Sequence, residues 1–137
     1  MTTPDPGGLA QTPAPLASFR RCNIFDAQLR AAPAHDGDGH VLAVRLVEGR
    51  GDPCNFLDYV ELPAGTSIGD HRHSDCEVEF YLILAGTGSM RLDEEQFPVR
   101  AGDVIRNRPG GLHGLRNTSD DWLRVFVFEL ATPGAAS

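Results

Sequence analysis

The chain has 137 residues, 41% hydrophobic and 23% charged, which is the profile of a soluble globular chain long enough to bury a core of its own. Its net charge is −7 and all 12 of its basic residues are Arg. That balance argues against nucleic acid and anionic membranes as partners, and the lack of Lys removes Schiff-base chemistry and lysine-bound pyridoxal phosphate. No apolar run reaches the roughly 18 residues a membrane helix needs, and the chain does not begin with a basic stretch followed by an apolar one. Cys22, Cys54 and Cys76 are odd in number and widely spaced, so neither a disulfide framework nor a Cys-based zinc knuckle is expected; the reading is a reducing cytoplasm.

In chain order, residues 1–18 hold Pro4, Pro6, Pro13 and Pro15 with Gly7 and Gly8, and read as a flexible arm with little to bury. Residues 19–130 read as one domain and 131–137 as a flexible tail. Weak helical periodicity covers 24–31. Short β-prone runs follow at 41–47, 55–62, 79–85, 89–92, 104–106, 112–117 and 122–130. Turn residues separate them, among them Pro63 and Gly65, Gly86 and Gly88, and Pro109 to Gly111. Strands at this spacing predict an all-β antiparallel sandwich or barrel. Alternation puts Phe56, Asp58, Val60 and Leu62 on one face.

Three of the five histidines carry the chemistry. His71 and His73 are two apart, so on a strand both imidazoles share a face. The polar loop Ser74-Asp75-Cys76 then precedes Glu77 and Glu79, and a hairpin there folds a carboxylate back beside the two rings. His113 follows Pro109-Gly110-Gly111 at the start of another strand. Three His and one Glu suit a single divalent Fe, Ni, Mn, Co or Zn with positions left open. His35 and His40 sit in a Gly/Asp loop and receive no role.

These residues resemble the cupin superfamily. Its first motif, Gly-x5-His-x-His-x(3,4)-Glu-x6-Gly, is matched by Gly65, His71, His73, Glu79 and Gly86. Its second, Gly-x5-Pro-x-Gly-x2-His-x3-Asn, is matched by Gly102, Pro109, Gly111, His113 and Asn117. Two departures stand out. Five residues separate His73 from Glu79, one more than the motif allows, and Pro109 falls one position late. Glu77 restores the spacing to His73 but leaves eight residues before Gly86, so the strand-and-turn frame favours Glu79 as the carboxylate, with the extra residue taken up by the loop.

The resemblance implies a jelly-roll barrel with a metal near its mouth, held by His71, His73, Glu79 and His113. It also implies a homodimer, with the segment 1–30 able to supply an exchanged strand. Tyr81 shares the face of Glu79 and is read as an acid/base or hydrogen-bonding group beside it. Arg45, Asn55, Tyr59 and Arg91 are read as outward, Cys76 as a small buried filler, Asn117 as a turn-fixing residue, and Trp122, Phe126 and Phe128 as core or dimer surface. The functional expectation is a metal-dependent enzyme acting on a small carbonyl-bearing or aromatic metabolite, with the metal as Lewis acid for isomerase, cyclase or lyase chemistry. A ferrous dioxygenase and a non-catalytic module binding a small molecule or sugar are the alternatives.

Overall fold

The structure is a computed structural model that describes residues 20–49 and 54–132. The arm expected over 1–18, and residues 133–137 of the expected tail, lie outside the described residues. The described residues form ten strands: β1 (Arg30–Ala32), β2 (Val41–Glu48), β3 (Cys54–Leu62), β4 (Ser67–Arg72), β5 (Glu77–Ala85), β6 (Thr87–Leu92), β7 (Glu95–Arg100), β8 (Val104–Asn107), β9 (Leu112–Arg116) and β10 (Leu123–Ala131). They form a six-stranded sheet in the order β1-β2-β3-β10-β5-β8 and a four-stranded sheet in the order β4-β9-β6-β7. Together the two sheets make the jelly-roll barrel.

Side-chain alternation decides what fills the barrel. Along β10, Leu123, Val125, Val127 and Glu129 are buried, while Phe126 and Phe128 are half-buried on the opposite face. Phe56, Asp58, Val60 and Leu62 are all buried on β3, and Tyr81 and Ile83 continue the inner surface on β5. Met90 and Val99 from β6 and β7 and Leu115 from β9 close the same core from the four-stranded sheet.

A second, smaller cluster lies on the outer side of the six-stranded sheet. Val44, Leu46 and Tyr59 are covered there by Ile24, Ala27 and Leu29. This explains the apolar spacing at 24–31 without a long helix. Only a single 3-10 turn forms, Ile24–Asp26, and the Asn23 side chain caps it by accepting from the Phe25 N–H at 2.9 Å. The chain then runs extended into β1, which adds to the edge of β2.

Strands β1, β4 and β7 go beyond the runs read from sequence. Pro98 and the acidic turn before it hide β7, yet β7 is an edge strand, where a missing N–H costs no ladder bond. The readings of Arg45 and Cys76 are corrected. Arg45 is buried, not solvated, because it forms a fork-to-fork pair with buried Asp58, its register partner on β3. Cys76 is exposed rather than a buried filler, because it lies in the loop between β4 and β5.

Candidate metal centre

The site straddles both sheets. His71, near the end of β4, is the register partner of His113 on β9. His73 lies just past β4, and Glu79 faces inward from β5. The four side chains offer ligand atoms within 4.8 Å of one another. Glu77 does not join the three histidines; its carboxylate accepts from the Ser74 N–H at 3.2 Å and groups with His73 and Glu129 only.

Local backbone aims each ring. A register shift between Ile68 and His71 marks a bulge in β4, which frees the Gly69 carbonyl to accept from His71 Nδ1–H at 2.7 Å. Gly69 is required there, since a Cβ would collide with the backbone oxygen of His35. His113 Nδ1–H points at the Gly111 carbonyl, 3.4 Å away. His73 Nδ1 meets the Glu129 carboxylate at 2.6 Å, and the Asn55 amide holds that carboxylate from behind at 3.0 Å. The Nδ1 atoms of His71 and His113 therefore face backbone carbonyls and that of His73 faces a carboxylate, which leaves the three Nε2 atoms turned inward.

What those atoms meet is the test of fit for a cation. His71 Nε2 is 3.1 Å from His73 Nε2. His73 Nε2 is 2.8 Å from Glu79 Oε2, and His113 Nε2 is 2.9 Å from Glu79 Oε1. Three ring nitrogens and one carboxylate thus converge on a single small volume. Glu79 and Glu129 are also directly opposed across β5 and β10, both nearly inaccessible to solvent, an arrangement of like charges that is destabilising on its own. A divalent cation between the rings would offset that like-charge pair, and a donor set of three imidazoles and one carboxylate suits a transition metal.

The electrostatics differ from ring to ring. Burial, with His113 and His35 as neighbours, lowers the His71 pKa to about 3 and keeps the ring neutral as a ligand must be. Burial also opposes charge on His73, but Glu129 and Glu79 outweigh it and raise that ring to about 10. Glu79 is buried, which favours its neutral form, yet His113 and His73 hold it below the ordinary carboxylate range. Tyr81 is pushed well above the usual phenol value by burial and by the charge of the neighbouring Glu79 carboxylate. It therefore keeps its proton and acts as a donor.

Several neighbours went unread in the sequence. His35 stacks on His71 with ring centroids 3.5 Å apart, held by a turn in which His35 and Asp36 both take left-handed φ values of 48° and 56°. No periodicity announces such a turn. Glu129 was legible in principle, since it continues the inner face of Leu123, Val125 and Val127. Asn55 is half-buried rather than outward, and Tyr59 is buried with its hydroxyl donating to Glu61 at 2.6 Å. Arg91 is partly exposed in an ion pair with Asp70. Asn117 fixes its turn as expected, donating to the Leu62 and Asp121 carbonyls.

The cupin domain model matches residues 58–129, and the chain belongs to the cupin family. It is 31% identical over 103 residues to a Thermotoga maritima protein named oxalate-binding protein, covering 72% of this chain and 84% of that one. It is 27% identical over 105 residues to the tetracenomycin polyketide synthase protein TcmJ of Streptomyces glaucescens, covering 77% and 69%. Among solved structures, a predicted oxalate decarboxylase from Thermotoga maritima superposes with a TM-score of 0.76 at 26% identity, covering 80% of this chain and 97% of that one. A cupin barrel protein from Salinispora arenicola superposes with a TM-score of 0.64 at 23% identity, over 88% and 92%. No helix among the described residues is long and apolar enough to cross a membrane.

Proposed function

We propose that the chain is a divalent-metal-dependent enzyme that acts on a small carbonyl-bearing or aromatic metabolite, with His71, His73, Glu79 and His113 as the metal ligands. The observation that carries this reading is the convergence of three imidazoles and one buried carboxylate, whose ligand atoms lie within 4.8 Å of one another. A divalent ion held there supplies Lewis acidity, drawing electron density from a carbonyl oxygen and stabilising charge that develops on it. Isomerase, cyclase and lyase reactions all use that property. Tyr81 lies beside Glu79, and its buried, protonated hydroxyl is suited to donating rather than to abstracting a proton. His35 walls off one face of His71. The neighbouring pocket between His35, Asp58, Glu79 and Tyr81 is only about 10 Å³, room for about one water.

A non-catalytic small-molecule-binding role is the second reading, favoured by the 31% identical relative named for binding oxalate. The reading also includes a homodimer in the cytoplasm. Its support is the apolar outer face of the six-stranded sheet, where Phe80 and Phe128 stack 5.3 Å apart and Leu84 and Val104 are exposed.

The deciding experiment is elemental analysis of protein purified without chelator, alongside His71→Ala, His73→Ala and His113→Ala. Near-stoichiometric metal in the parent and a sharp loss in each variant is the expected result. Unchanged occupancy in any variant removes that residue as a ligand, and no metal even after reloading overturns the reading. Iron would favour the dioxygenase alternative and an oxygen-uptake assay; nickel, zinc, cobalt or manganese would favour Lewis-acid chemistry. Ligand binding without turnover by the metal-loaded protein would favour the binding module.

A further inference from the structure

The cavity lined by Glu79 and Tyr81 measures about 10 Å³ and holds about one water. Any organic ligand is larger, so a wall has to move before one can enter. Among the described residues eight line this cavity, and seven of them stand on β3, β4, β5 and β10. Strands β3, β10 and β5 are each paired on both sides, and Ile68 on β4 is paired with Leu115. Those walls open only by breaking a ladder. The eighth residue is His35, on the turn between β1 and β2. Its ring lies flat on His71, with centroids 3.5 Å and planes 6° apart, and meets His73 edge-on at 6.3 Å. One side chain therefore covers both the cavity and a ring of the cluster.

We propose that the turn over residues 34–38 is the cover of this site: it pivots at Ala34 and lifts the His35 ring off His71. A small ligand then enters the vacated space beside Glu79 and Tyr81, and the turn closes over it. The inference rests on reading the cluster as a metal centre. The turn is built for such a motion. Ala34 is fully buried and anchors one end, whereas Asp36, Asp38, Gly39 and His40 are exposed and bring no apolar surface to the core. His35 and Asp36 both hold left-handed φ values, a conformation that costs side-chain-bearing residues energy and needs outside contacts to persist. Those contacts are polar and lie at the rim. The Gly37 N–H donates to the Ala34 carbonyl at 2.9 Å, and the Asp38 N–H donates to the Ser67 hydroxyl at 2.8 Å. The Ser67 N–H donates to the Asp38 carbonyl at 3.0 Å, and Arg116 pairs with the Asp38 carboxylate in solvent. Releasing them frees the turn without disturbing either sheet.

The test uses the full chain as parent, His35→Gly and Ser67→Ala. Ser67→Ala removes the hydroxyl that accepts from the Asp38 N–H and leaves the cavity lining intact. Azide binding to the cobalt(II)-loaded proteins is followed by stopped-flow visible absorption. Exchange of the Gly37 amide is measured on the metal-free proteins. Cobalt content should be equal in all three. The parent's azide rate should level off with azide concentration, as opening becomes limiting. In His35→Gly the rate should be at least about tenfold higher and keep rising with concentration, because the covering ring is gone. Ser67→Ala should bind azide about 2–10-fold faster than the parent, with Gly37 exchange faster by the same factor. A parent rate that rises linearly and equals that of His35→Gly overturns the proposal. So does a Ser67→Ala variant in which only one of the two rates moves, or no azide binding in any of the three. Cobalt lost from His35→Gly alone would make His35 a prop for His71 and overturn it too. No cobalt in the parent would instead sink the metal reading. Gly37 exchange needs no metal and would still judge the turn: protection as strong as that of the Tyr81 amide on β5 overturns the cover.

Discussion

Two polar clusters are buried in this barrel, and they are built on opposite terms. Arg45 and Asp58 are register partners on β2 and β3, each about 1% exposed, joined by Nε to Oδ1 at 2.8 Å and Nη2 to Oδ2 at 3.0 Å. The guanidinium also lies 4.5 Å over the Phe56 ring. Charge is matched and the fork geometry is met, so the pair adds rigidity and asks nothing of a ligand. Around the His71, His73, Glu79 and His113 cluster, three imidazoles crowd one carboxylate, and Glu79 directly opposes a second buried carboxylate, Glu129. Burial alone therefore does not mark a functional site. What marks it is a polar group whose partner is not supplied by the fold.

The contrast is broken most forcefully at Asp58. Asp58→Ala leaves the Arg45 charge buried without its main partner, and removal of one half of such a pair costs about 3–5 kcal/mol. Urea or guanidinium unfolding should register that loss. The joint substitution Arg45→Met with Asp58→Leu should recover most of it, because neither charge then needs solvation. A double variant no more stable than Asp58→Ala would show that the pair does more than neutralise itself, and would undo the distinction drawn between the clusters.

The next effect in size lies around His73. Glu129 holds His73 from the side away from the other rings and is itself held by Asn55. Carboxylates in that position raise ligand basicity, and their loss typically weakens metal binding by about 10–100-fold. Glu129→Gln should fall in that range in a chelator competition, Glu79→Gln should lose more, and Glu77→Gln should stay near the parent. Greater loss in Glu77→Gln than in Glu79→Gln would reassign the carboxylate ligand.

The same contrast explains how far the sequence could be read. Inner and outer faces followed from two-residue alternation, because one side of each strand meets an apolar core; Phe56, Val60 and Leu62 needed no further information. His71, His73, Glu79 and His113 could be singled out because their spacing to glycine and proline turns is local. The extra residue before Glu79 sits in the loop ahead of β5, where length is tolerated. The partners were not legible. Asn55 and Glu129 meet across 74 positions, and Arg45 turns inward only because strand pairing sets Asp58 opposite it. Such relations are set by sheet register. His35 depends on a two-residue left-handed turn that its own sequence barely signals.

An Arg–Asp pair in solvent, Arg108 with Asp93, gives the smallest effect and the sharpest control. Arg108 Nε donates to Asp93 Oδ2 at 3.0 Å, and the Leu112 N–H donates to Oδ1 at 3.1 Å. Arg108 and that N–H hold the Asp93 carboxyl below its usual value. A carboxylate with a depressed native pKa contributes stability above its unfolded value of about 3.9, and the contribution disappears as pH falls through the native value. Asp93→Asn keeps a residue that tolerates the positive φ of 54° at this position. Its thermal midpoint should lie slightly below the parent's near neutral pH, with the gap closing on acidification and shrinking in high salt, since exposed pairs are weak and screened. A gap that widened toward acid, or ignored salt, would mean that the Asp93 turn is held by something other than its charge. Solvent exposure would then no longer account for the difference between this pair and Arg45–Asp58.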